Sequence, residues 1–309
     1  MNNDPNYLSC KKKECKKYSN GKCDVTTCSG TITFHVVNIR TAIEFVFFAG
    51  GFATPCILRF LVEWDFFLNL ISPVASRVSY MTAIGNHERD YAESGSVYIT
   101  PDSGGECGVP YETYFPMPTR SKDKPWYSIE QAGVHFTVIS TEHDWSVNSE
   151  QDMASVDRSK TPWLIFTGHR PMYSSLTSSV DKNFVDAVEP LLLDNKVDVV
   201  LFGHVHNYER SCSVYNQKCL GMPRKDSDGI DTYDHSNYTA PVQAVIGMGG
   251  FTLDKFPDDI NAPETWSLSR ISEYGYLRGH ATKTEMKLEF VNSDTRKVED
   301  SFRIIKKKN

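Results

Sequence analysis

Five times between residues 78 and 250 a short apolar run breaks off into a polar cluster, and four of those clusters open on glycine. Val78–Ile84 runs into Gly85-Asn86-His87-Glu88, Trp163–Thr167 into Gly168-His169-Arg170-Pro171, and Val197–Phe202 into Gly203-His204-Val205-His206. Val242–Ile246 runs into Gly247-Met248-Gly249-Gly250, and His135–Ser140 into Thr141-Glu142-His143-Asp144. Short continuous apolar runs read as strands buried on both faces. Asn183–Leu193 reads as a helix despite Pro190. Strands alternating with helices predict an α/β core. In such folds ligands gather at the carboxyl ends of strands, where these clusters fall.

The clusters carry metal and phosphate chemistry. His204 and His206, one residue apart after a glycine, present two imidazoles from a short turn, and imidazole binds zinc, iron and manganese. An isolated His-x-His is also an ordinary loop; its place after a buried run favours ligands. Asn86 offers a neutral carbonyl oxygen suited to a hard divalent cation, and His87 beside it suits donation to a phosphate or leaving group. Gly168-His169-Arg170 adds a third imidazole and a guanidinium fit for bidentate phosphate recognition. Taken singly, each is more often an ordinary turn than a site.

Their order, Asn-His, then His, then His-x-His, is the motif order of the metallophosphoesterases. Ala83–Tyr91, Trp163–Tyr173, Phe202–Arg210 and Ala240–Gly250 resemble plant purple acid phosphatases. The resemblance runs from residue 60 to the C-terminus. It implies an α/β metallophosphoesterase-type β-sandwich flanked by helices over 60–309, incomplete at its start. Residues 1–59 then form a Cys- and Lys-rich segment with a remnant of an N-terminal β domain. The resemblance further implies a ferric ion beside zinc, manganese or iron, and hydrolysis of small phosphate monoesters by a metal-bound hydroxide. By motif match, Asn86, His169 and His204 bind the divalent metal and His206 the ferric ion. His87 contacts phosphate and assists the leaving group; read from its own chemistry, Arg170 contacts substrate phosphate or, equally, pairs with a surface acid. Secretion is implied by the resemblance.

Two family motifs, Asp-x-Gly and Gly-Asp-x-x-Tyr, are absent from residues 1–85. The acids there, Asp4, Glu14, Asp24, Glu44, Glu63 and Asp65, sit in no such setting. The chain reads as jumping across a lost internal segment near Leu58–Phe60. His206 is then the one remaining protein ligand of the ferric site, and the divalent site keeps three neutral ligands without a bridging carboxylate. A close pair of cations is hard to hold without that negative charge, so a single divalent metal is expected. Glu142 and Asp144 are disfavoured as substitutes. The paired histidines common after His169 are replaced by Ser174–Ser179, and Glu150–Ala154 is shorter than in relatives. The expectation is impaired hydrolysis. The alternatives are an inactive relative binding one metal, phosphate or a protein partner, or a splice or gene-model product with no stable function.

Composition narrows the remaining choices. A net charge of −6 argues against nucleic acid as the main partner. Six lysines crowd residues 1–23 and read as a solvated end. Cys10, Cys15, Cys23 and Cys28 lie early, while Cys212 and Cys219 flank a short polar loop. The absence of Cys-x-x-Cys pairs favours disulfides over structural zinc, with Cys212–Cys219 as one bridge. Asn237-Tyr238-Thr239 is a glycosylation sequon. No signal peptide is visible, and Phe45–Leu58, broken by Gly50, Gly51 and Pro55, is too short to span a membrane and reads as a buried strand pair. Thr31–Val37 and Glu44–Phe48 read as strands, and Phe60–Ile71 as a helix ending near Pro73. Tyr173, Tyr208, Trp64, Trp163 and Trp266 read as packing residues, His135 and His143 as structural histidines, and Arg278 and His280 as surface.

Overall fold

A computed structural model describes the backbone of residues 32–36 and 56–62, and residues 63–146, 148–151, 156–176, 179–250, 252–256 and 265–307 in full. The expected Glu44–Phe48 strand and the early cysteines lie outside the described residues. In chain order the first elements are β1 (Ile32–Val36), α1 (Cys56–Ala75), α2 (Asn86–Arg89), α3 (Val109–Tyr114), β2 (Tyr127–Gln131), β3 (Val134–Val138) and β4 (Trp163–Thr167). Then follow α4 (Lys182–Asp194), β5 (Val199–Phe202), β6 (Tyr208–Tyr215), β7 (Lys218–Gly221), β8 (Arg224–Lys225), β9 (Asp231–Asp234) and β10 (Val242–Ile246). The chain closes with β11 (Ser267–Ile271), β12 (Gly275–Ala281), β13 (Glu285–Asn292) and β14 (Val298–Ile305).

The strands form two packed sheets. One has the order β11-β6-β10-β5-β4-β3-β2 with β7 on β6, and the other β1-β12-β13-β14-β9-β8. At the centre of the first, β3, β4, β5 and β10 run parallel. Their side chains alternate between two buried environments. Trp163, Ile165, Val199 and Leu201 face Leu288, Phe290, Phe302 and Ile304 of the second sheet. Leu164, Phe166, Val200 and Phe202 pack against Phe184, Val188 and Leu192 of α4, spaced to fill one helix face. Burial on both faces explains the continuous apolar runs in the sequence. Emptying one such position, Phe184→Ala, costs about 3–5 kcal/mol. The second sheet is one-sided: Arg278 pairs outward with Glu289 at 2.7 Å, and His280 is exposed.

Three expectations need correction. Val78–Ile84 forms no strand. Ile84 is buried and Val78 exposed, and Thr82 is satisfied by side chains: its N–H donates to Met117 Sδ and its carbonyl accepts from Tyr127 Oη at 2.7 Å. Apolar content supplies a strand's surface but not its partner, and no strand lies beside this run among the described residues. Cys56–Leu58 is helical rather than part of a strand pair, because α1 starts at Cys56 and crosses the boundary expected near Leu58–Phe60. Finally, α1 continues past Pro73 to Ala75, since a proline in the last turn forfeits a single helical hydrogen bond. Trp64, Phe67 and Ile71 pin α1 onto Ile84, Tyr111 and Phe115.

No helix among the described residues is long and apolar enough to cross a membrane.

Candidate metal and phosphate site

The shared direction of β3, β4, β5 and β10 brings their carboxyl ends together. The exit loops of β3 (Thr141–Asp144), β4 (Gly168–Pro171), β5 (Gly203–His206) and β10 (Gly247–Gly250) therefore lie side by side. The short α2, entered through Gly85, adds Asn86 and His87. Gly85 is required by close approach: a Cβ there would lie 2.8 Å from His169 Nδ1. Gly247 is required more strictly, since its Cβ would lie 1.9 Å from the carbonyl oxygen of Val205.

Three of the predicted ligands meet. His169 Nε2 lies 2.8 Å from Asn86 Oδ1 and 3.2 Å from His204 Nδ1. The two imidazoles meet edge to face with centroids 5.0 Å apart. His204 sits at φ +66°, a left-handed backbone that non-glycine residues rarely adopt. Such strain, concentrated where a strand exits, turns the imidazole toward its partners. Here His169 Nε2–H donates to Asn86 Oδ1; with that proton released, the amide oxygen and two imidazole nitrogens have the donor chemistry of a divalent cation site, whose ligands lie about 2.0–2.2 Å from the ion. The trio fits one metal.

Among the described residues no second set of ligands is assembled beside the trio. His206 is buried; its Nδ1–H donates to the Thr252 carbonyl at 2.9 Å, and its backbone N–H donates to Asp254 Oδ2 at 2.8 Å. That hydrogen bond fixes the tautomer in the way metal-binding histidines are fixed. Yet among the described residues no group of three His, Cys, Asp or Glu is arranged to hold a metal.

Arg170, expected at the substrate, is turned inward. It donates through Nε to Glu142 Oε2 at 2.9 Å, through Nη2 to Asp90 Oδ2 at 2.8 Å, and approaches His204 Nε2 at 3.3 Å. Its guanidinium stacks over Tyr98 at 3.9 Å. Its partners are therefore two fully buried carboxylates rather than a surface acid. Burial pushes both carboxyls up, Glu142 to about 8, against the opposing pull of Arg170. For Arg170 itself, burial disfavours the charge, but Glu142 and Asp90 outweigh it and raise the pKa. Glu142 is thus engaged with Arg170, and Asp144 is exposed and accepts from Ser146 N–H. His143 is held by Ser140 Oγ at 2.7 Å, and burial lowers its pKa.

The sequence reading missed Asp102. Its carboxylate accepts from Asn86 Nδ2 at 2.5 Å, and its carbonyl accepts from His87 Nδ1 at 3.3 Å. The signal was an Asp-Ser-Gly at 102–104, lying downstream of Asn86 rather than upstream. Elsewhere, Cys212 and Cys219 are joined by a disulfide, and Asn237 is exposed beside the 3₁₀ turn His235–Asn237.

Known proteins are similar to this chain in sequence and fold. Residues 33–208, more than half the chain, match the calcineurin-like phosphoesterase family, and residues 240–301 match the iron/zinc purple acid phosphatase-like protein C family. The chain is 40% identical to probable inactive purple acid phosphatase 1 of Arabidopsis thaliana over 80% of its own length and 41% of that protein. It is 33% identical to a nucleotide pyrophosphatase/phosphodiesterase of Hordeum vulgare, covering 84% of this chain and 72% of that one. The solved purple acid phosphatase from yellow lupin (Lupinus luteus) seeds superposes with a TM-score of 0.73 at 38% identity, over 80% of this chain and 44% of that one. The chain spans less than half the length of the first curated relatives it matches. With the motif order, the exit-loop geometry and these matches in agreement, the chain belongs to the calcineurin-like phosphoesterases and, within them, to the purple acid phosphatases.

Proposed function

We propose that this chain binds one divalent cation, zinc or manganese, through Asn86, His169 and His204, and hydrolyses phosphate monoesters weakly. The observation that carries this reading is the meeting of His169 Nε2 with Asn86 Oδ1 and His204 Nδ1 at 2.8 and 3.2 Å. A cation held there polarises a phosphoryl oxygen. His87 Nδ1–H is directed to the Asp102 carbonyl, so in its imidazolium form His87 would deliver the Nε2 proton to a leaving oxygen and be left neutral. Arg170 holds two carboxylates, leaving phosphate recognition to His87 and the cation. Among the described residues the family's ferric ion would find His206 alone of its expected ligands, which supports a site for one cation. Four Arabidopsis relatives carry the word inactive in their names, which supports low turnover.

The reading extends to the remaining expectations. The Asp-x-Gly and Gly-Asp-x-x-Tyr motifs absent from residues 1–85 are those of a segment lost between residues 1–59 and 60–309. The Cys212–Cys219 bridge and a glycan on exposed Asn237 suit an oxidising, secretory route.

The test is hydrolysis of p-nitrophenyl phosphate by the full chain with iron and zinc supplied. Slow turnover that disappears in H204A is expected. Equal rates in the two proteins would defeat the proposal.

A further inference from the structure

Asn86 poses a problem that the metal ligands themselves do not solve. An amide is nearly symmetric in shape, and its oxygen and nitrogen exchange places by a half-turn. With Oδ1 toward His169 the side chain offers a lone pair to a cation; with Nδ2 there it offers a hydrogen that repels one. The choice is made by Asp102. Its Oδ2 accepts from Asn86 Nδ2 at 2.5 Å, and a carboxylate cannot pair with an amide oxygen in the reverse orientation. Thr100 Oγ1 donates to the same Oδ2 at 2.9 Å, fixing the carboxylate in place. The loop is anchored behind it by the Ser103 N–H, which donates to the Asp90 carbonyl at 3.0 Å. Gly104 and Gly105, at φ +58° and +94°, turn the chain back at that point.

We propose that Asp102 is the positioning residue of the cation site: it locks Asn86 with its oxygen inward and supplies the negative charge that the three neutral ligands lack. The same residue orients His87 through its carbonyl, so one loop position sets both functional residues of α2. The proposal rests on the cation site described above. Outer groups that orient metal ligands contribute about 10–100-fold to affinity.

The test is zinc affinity of the full chain, measured by competition with a chromophoric chelator, for wild type and D102N, together with the melting temperature of each without metal. Asp102→Asn keeps the shape and removes the charge and the orientational preference. A loss of about 10–100-fold in affinity with an unchanged metal-free melt is expected. Affinity within about twofold of wild type would overturn the role of Asp102 while leaving the cation site standing. Wild-type protein that binds no zinc would overturn the site itself. Where D102N melts markedly lower, T100V takes its place, because it removes one donor from the same carboxylate. A loss of about threefold is then expected, and no change counts against Asp102.

Discussion

Arg170 Nε lies 2.9 Å from Glu142 Oε2, joining the exit of β4 to the exit of β3 beneath the cation site. The carboxylate is fully buried and shares the guanidinium with buried Asp90. Removing the arginine leaves the buried Asp90–Glu142 pair without its counter-charge. R170A is expected to lose about 3–5 kcal/mol of stability in urea unfolding. A loss below about 1 kcal/mol would mean that the pair is hydrated and structurally idle.

The same cluster makes stability depend on pH. Burial pushes the Glu142 carboxyl up to about 8, with Arg170 opposing and Asp90 reinforcing, whereas its ordinary value is 4.5. Between those values the unfolded chain has released a proton that the native state keeps. The contribution is therefore complete below the ordinary value and falls away as pH rises through about 8. Unfolding free energy should decline across that interval in wild type and decline less in E142Q. Identical slopes in the two proteins would remove Glu142 from the account.

Gly85 tests how tightly the ligands are held. A Cβ at this position would meet His169 Nδ1 at 2.8 Å and Glu88 Oε2 at 3.0 Å. G85A is expected to displace the imidazole and lower zinc affinity by about tenfold or more. Unchanged affinity would show that His169 has room to move without leaving the site.

Residues 212 and 219 are seven apart, and their disulfide closes a short loop between β6 and β7. Constraining so short a loop in the unfolded chain is worth about 2–3 kcal/mol. Unfolding in the presence of dithiothreitol should show that loss, and C212S should show it without reductant. Equal stability in oxidised and reduced protein would contradict it.

Much of this was legible in the sequence, for identifiable reasons. The β4 and β5 runs were readable because alternate residues fill two different buried environments, so the whole run is apolar. Asn86, His169 and His204 were readable because each follows a glycine at an apolar run's end, although they are up to 118 residues apart. The fate of Arg170 was not readable. Its acids lie 80 and 28 residues away, and only the side-by-side strand exits bring them to it. Val78–Ile84 misled because its composition is that of a strand, while strand formation depends on a neighbour supplied by another part of the chain. Asp102 was overlooked because the expected carboxylate motif precedes Asn86, whereas the one that touches Asn86 follows it by 16 residues.

The central claim is that this chain holds one cation, not two. Equilibrium dialysis of the purified full chain against zinc and iron, followed by metal analysis, tests it most directly. The account predicts one divalent metal per wild-type chain and a large loss of it in H204A. Two tightly bound metals per chain, or none, would contradict it.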